Sequence, residues 1–104
     1  MDFVPITEIS VASGRLHVTP GASQFDDFEY IYRTATGVRW LRAERCFVPH
    51  EVGALTHGAW FGEILAAAAS EYGVRLEVTP GTIWRDVPAE LRSEIESQSP
   101  RSAV

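Results

Sequence analysis

The chain has no lysine, no asparagine, a single cysteine and no long apolar run. Each absence excludes something. Without lysine there is no Schiff-base chemistry and no Walker-type phosphate lysine, and all nine basic residues are arginine. Cys46 alone cannot form an intramolecular disulfide, which fits a reducing cytoplasm. No apolar stretch approaches the roughly 20 residues that span a bilayer, and the Met1-Asp2 start lacks a basic, apolar signal region. A net charge of -5 with no basic cluster repels a phosphate backbone, so neither nucleic acid nor a membrane surface is an expected partner. Gly-rich phosphate loops, nucleophile elbows and paired-cysteine metal motifs are missing as well. Loss of both residues with A-rich codons points to a GC-rich bacterial gene, which the base composition of the coding sequence checks.

What is present describes a folded protein. Of 104 residues, 45% are hydrophobic and 22% charged, enough apolar surface for one core without metals or disulfides. The expected organisation is one domain over residues 1–98 with a disordered tail over 99–104. A seven-residue phrase occurs twice: Arg15-Leu16-His17-Val18-Thr19-Pro20-Gly21 and Arg75-Leu76-Glu77-Val78-Thr79-Pro80-Gly81. In each, Leu and Val stand two apart on one strand face, and Pro-Gly suits the centre of a type II turn. The phrase encodes strand, reversal, strand, arising by duplication or as a common way to end a strand.

Phe3 to Val11 reads as a first strand with Phe3, Ile9 and Val11 on one face, turning at Ser13-Gly14. Alternation over Phe25 to Arg33 predicts another strand, with Phe28, Tyr30 and Tyr32 together on one side. A loop over Thr34 to Gly37 then leads into Val38 to Arg42, followed by a short strand at Cys46 to Val48. The longest helix is expected over about 56–72, capped by Thr56 and ended by Gly73 in the left-handed conformation. A short helix over about 87–97 follows, with Asp86 as cap, Pro88 in its first turn, and Leu91 and Ile95 to bury. The fold class is α+β, a mostly antiparallel sheet packed on one main helix.

The main helix is apolar nearly all round. Phe61, Ile64, Leu65, Ala68 and Tyr72 make one face, while Trp60, Ala67 and Glu63 make another. A short chain is poorly placed to cover both, so a homo-oligomer, first a dimer, is expected through the 59–69 face.

Candidate chemistry is sparse. Glu63, isolated among Trp60, Phe61, Ile64 and alanines, is the sharpest acid–base candidate, against pairing with arginine or facing water. His50, Glu51, His57 and Cys46 have the wrong spacing for a zincin helix, so no metal and no cofactor is expected. Asp26, Asp27 and Glu29 form an acidic patch suited to cations or glycoside chemistry, or to plain solvation. Cys46 beside Arg45 carries either a lowered thiol pKa or the inertness of a buried strand cysteine. Trp40, Trp60, Trp84, Tyr30 and Tyr32 can line a cavity between sheet and helix, with Glu63, Asp26 or His57 at its polar end.

Taken whole, the chain resembles the short orphan proteins of bacterial integron gene cassettes. The likeness is one of general character: neither Val18-Thr19-Pro20-Gly21 nor Trp84-Arg85-Asp86-Val87-Pro88 is diagnostic, and no functional residue is carried across. The resemblance implies a compact, acidic, homo-oligomeric α+β protein with a pocket. From the residues themselves, the expected function is small-molecule binding at Glu63, Trp60, His57, Trp40, Tyr30, Tyr32, Trp84 and Asp26. The alternatives are an interaction module (inhibitor or antidote type) whose acidic strand 26–29 meets a basic partner, and a small acid–base enzyme using Glu63.

Overall fold

The computed structural model describes residues 2–21, 28–50 and 55–98. Asp26, Asp27, Glu51 and the 99–104 tail lie outside them. Five strands, β1 (Asp2–Ala12), β2 (Arg15–Pro20), β3 (Val38–Leu41), β4 (Cys46–Pro49) and β5 (Val74–Arg85), form one sheet in the order β3-β4-β2-β1-β5. Every neighbouring pair is antiparallel except β1 and β5, which run parallel. The main helix α1 (His57–Ala67) continues into a π-helical turn (Ala68–Tyr72), and α2 (Ala89–Gln98) closes the fold. This is the expected α+β class. No helix among the described residues is long and apolar enough to cross a membrane.

The hairpin from β1 to β2 turns on Ser13 (φ 55°) and Gly14 (φ 75°), both left-handed, the signature of a two-residue type I′ loop. Its neighbours explain why Phe3 does not join Ile9. On β1, Val4 and Ile6 are buried, and so is Ile9. Strict alternation cannot place Ile6 and Ile9 on one face, and the register breaks between Ile6 and Glu8 in both flanking pairings. A bulge at Thr7 therefore switches the parity and leaves Phe3 57% exposed, contrary to the sequence expectation.

The repeated phrase also behaves differently from its reading as a turn. Neither Gly21 nor Gly81 is left-handed, so neither occupies the third position of a type II turn. The two copies instead flank β1 from opposite sides, β2 antiparallel and β5 parallel. Both Thr-Pro-Gly ends meet the Thr7 bulge. Ile6 pairs with Val78 and Glu8 with Ile83, so the segment 79–82 loops out while β5 carries on. Thr82 Oγ1 ties this loop down, donating to the Ile6 carbonyl at 2.6 Å and accepting the Thr79 N–H at 2.9 Å. On the other side Thr7 donates to the Thr19 carbonyl (3.1 Å), and the Gly21 N–H donates to the Pro5 carbonyl (2.7 Å). A Cβ at Gly21 would stand 3.1 Å from both the Pro5 oxygen and Thr7 Cγ2, which accounts for glycine there by close approach. One copy follows a hairpin and the other a helix, so the halves do not repeat one arrangement.

The expected third strand is a 3₁₀ helix over Glu29–Arg33. Its buried residues, Phe28 and Ile31, are three apart, which is the 3₁₀ period, while Tyr30 and Tyr32 are exposed. Alternating aromatic residues imitated a strand, but burial follows every third position.

Helix α1 starts where expected, the Thr56 hydroxyl accepting the Ala59 N–H at 3.2 Å, and ends at Gly73 with φ 66°. Phe61, Ile64 and Ala68 enter the core against Val4, Ile6, Leu76 and Val78. Trp60 and Ala67 are buried within the chain too, so the second face needs no partner to hide it. Trp60 Nε1–H donates to the Gly37 carbonyl at 3.0 Å. What α1 and its π turn leave outside is a narrow stripe of Ala59, Glu63, Ala66 and Ser70. Helix α2 buries Ile95 and packs Leu91, as expected, and lies on the glycine side of α1. A side chain at Gly58 would run into the Glu94 carboxylate, and Gln98 donates to the Gly58 carbonyl at 2.8 Å. Asp86 does not cap α2. It sits at φ 56°, and the Pro88 carbonyl accepts the Arg92 N–H at 2.9 Å, placing Pro88 just ahead of the first turn.

Candidate functional site

The 3₁₀ helix has three ridges because residues three apart eclipse one another. Phe28 and Ile31 face the core. Tyr30 and Arg33 face outward together, the guanidinium 4.2 Å above the ring. Glu29 and Tyr32 share the remaining ridge, turned toward β3, and this ridge is one wall of a cleft of about 390 Å³.

The opposite wall comes from the start of the β3–β4 pair. Val38, Arg39 and Trp40 line it from β3, with Thr36 from the turn just before that strand and His50 from just after β4. The His50 N–H donates to the Gly37 carbonyl at 2.9 Å, and Val38 pairs with Pro49, which fixes His50 across from Gly37 at the open end of the pair. The floor is apolar, with Val38 fully buried and Trp40 half-buried, while the rim residues are exposed.

Trp40 is held rigidly. Its ring lies 5.2 Å from Phe28 in an edge-to-face contact and 5.0 Å from Phe47, and Phe28 in turn packs 4.9 Å from Tyr72. The Tyr72 hydroxyl accepts the Tyr30 N–H at 2.9 Å, and Glu71 meets Thr34 Oγ1 at 3.2 Å and the Arg33 guanidinium at 3.7 Å. The π-helical turn is what delivers Glu71 and Tyr72 to the 3₁₀ helix, so α1 braces one cleft wall. Trp60 braces the other through Gly37.

Charge within the cleft is lopsided. Its carboxylate, Glu29, is engaged by Arg42 at 3.0 Å. Arg39 has no ion-pair partner among the described residues, in contrast to Arg33, Arg42, Arg75, Arg85 and Arg92. The buried Nε1–H of Trp40 has no acceptor among the described residues either, and leaving such a donor unpaired is costly.

Only part of the expected site converges here. Trp40 and Tyr32 line the cleft. Tyr30 stacks with Arg33 on the outer ridge, and Trp60 is buried behind the wall. Trp84 lies on β5, at the opposite edge of the sheet, under the Arg92 guanidinium at 4.8 Å. His57 is half-buried at the start of α1 and does not line the cleft, and Asp26 is outside the described residues. Glu63 is exposed on the outer stripe, so the desolvated carboxylate required for acid–base work is not there. Arg39, Thr36 and Val38 were not singled out from sequence, and His50 and Glu29 were considered for other chemistry. The signal that finds Glu29 with Tyr32 is a spacing of three, hidden under the aromatic alternation.

Among the described residues no group of three or more His, Cys, Asp or Glu is placed to hold a metal ion. Cys46 is buried on β4, and burial first, then the nearby carboxylates of Glu44 and Glu8, pushes its thiol pKa up. Of the two expectations for Cys46, the structure has the buried strand cysteine, with its thiol pKa raised rather than lowered.

Among solved structures, an integron cassette protein, Hfx_Cass5, from the mobile metagenome of the North West Arm sewage outfall is 39% identical to this chain. The alignment covers 94% of this chain and 96% of that one, with a TM-score of 0.43. No curated protein matches. The family model for integron cassette protein Hfx_Cass5 matches residues 2–82, most of the chain, and the chain belongs to that family.

Proposed function

We propose that the protein is a small-molecule binding protein whose site is the cleft between the 3₁₀ helix and β3. One observation carries the reading: the cleft joins an apolar floor, Val38 and Trp40, to a polar rim of Glu29, Tyr32, Thr36, Arg39 and His50. Concave sites with an apolar body and few convergent polar groups are the usual form of ligand pockets, and about 390 Å³ lies at the small end of their range. One chain builds the whole cleft, so the proposal needs no second copy. The acidic-strand interaction module rests on Asp26 and Asp27, which lie outside the described residues, together with Glu29, whose carboxylate pairs with Arg42.

The test is a thermal-shift and tryptophan-fluorescence screen of the full chain against a broad set of small aromatic and heteroaromatic compounds. A binder at one hundred times its Kd raises stability by about 2.7 kcal/mol, a readily measured rise in Tm. A Trp40→Leu variant should lose that rise while still folding. A flat response across the set contradicts the proposal.

A further inference from the structure

We propose that the cleft is selective for a planar organic anion, an aromatic or conjugated carboxylate, held by Arg39 and His50 with its ring over Val38 and Trp40. This rests on the cleft being a binding site and adds the charge and shape of what enters it.

The sign comes from the rim. The protein carries a net charge of -5, yet the rim holds an arginine without a carboxylate partner among the described residues. Beside it stand His50 and the hydroxyls of Tyr32 and Thr36, all able to donate. The carboxylate in the lining, Glu29, has its charge met by Arg42 at 3.0 Å, so it does not cancel Arg39. An arginine fork matches a carboxylate through two parallel N–H bonds, a geometry a neutral amide reproduces poorly.

The shape comes from the floor. Phe28 and Phe47 clamp the Trp40 ring at 5.2 and 5.0 Å, so the wall cannot fold around a globular ligand and favours a flat one.

The experiment titrates naphthalene-2-carboxylate and its neutral isostere, naphthalene-2-carboxamide, into the full chain, followed by calorimetry and two-dimensional NMR. The carboxylate should bind about ten-fold or more tightly than the carboxamide, and added salt should narrow the gap. Arg39→Gln, a surface change that leaves the fold intact by circular dichroism, should remove the preference. His50→Gln should reduce it. Equal binding of both probes at the Trp40 wall overturns the anion selectivity while the binding site stands. If neither probe binds at millimolar concentration, or the carboxylate binds without moving Trp40 signals, selectivity and site both fall.

Discussion

Thr82 shows how one hydroxyl can hold an irregular strand. It donates to Ile6 and accepts from Thr79 at the point where β5 loops away from β1. Thr82→Val keeps the shape and removes both bonds, leaving a buried carbonyl and N–H unpaired, and should cost about 1–3 kcal/mol in urea denaturation. Thr7→Val, at an exposed position with one such bond, should cost less. Cys46 offers a pH test. Its folded pKa is raised by burial, then by Glu44 and Glu8, so the folded state holds the thiol proton more tightly than the unfolded state. Its effect on stability is therefore flat below the ordinary thiol value, about 8.5, and stability falls as pH climbs from there toward the folded pKa. Cys46→Ala should flatten that alkaline decline, and the native thiol should react slowly with iodoacetamide at pH 8. At this scale Thr56, Ser13-Gly14 and Gly73 were legible because they act through local backbone geometry, whereas Asp86 and the two Pro-Gly pairs, whose conformations answer to neighbouring parts of the chain, were not. Nor was Thr82, whose partner Ile6 is distant along the chain.

Elements were legible when their period was unmistakable. The main helix, its ends and the second repeated strand followed from spacing alone, as did the small buried face of α2. The stretch from Phe28 to Arg33 did not, since Phe28, Tyr30 and Tyr32 satisfy a strand period while Phe28 and Ile31 satisfy the 3₁₀ period. Tertiary contact with Tyr72, Trp40 and Phe47 selects the second. Because that choice sets the Glu29–Tyr32 ridge, misreading it hid the cleft. Gly73 permits the π-helical turn to hand over to β5 at φ 66°, with no atom within 4 Å of a Cβ built there. Gly73→Ala should therefore cost only the left-handed backbone penalty, about 1–2 kcal/mol, without steric damage. A larger loss in thermal denaturation would mean that the junction carries more than backbone freedom.

For the whole molecule, the question was how a chain of 104 residues hides an apolar helix. It does so by wrapping: the sheet takes Phe61 and Ile64, the loop before β3 takes Trp60, and α2 seats against Gly58 and Gly62. Trp60 and Ala67, whose exposure would call for a dimer through residues 59–69, are both covered within the chain. Ala66→Arg, on the exposed stripe, should leave the sedimentation coefficient unchanged at micromolar concentration. A fall to a smaller species would restore an interface there. The fold class was readable because strands and helix announce their own periods. The site was not, because it is assembled from a helix ridge, a strand edge and His50, which only the sheet pairing brings together.

The three tryptophans allow the central claim to be read in one spectrum. Trp60 donates to Gly37, Trp84 lies under Arg92 at the far sheet edge, and Trp40 forms the cleft floor with its indole N–H unpaired among the described residues. In a ¹H–¹⁵N titration with naphthalene-2-carboxylate, the Trp40 indole signal should shift strongly and saturate while that of Trp84 stays in place. Movement of Trp84 alone, or no movement of Trp40 at saturating probe, would contradict a binding cleft between the 3₁₀ helix and β3.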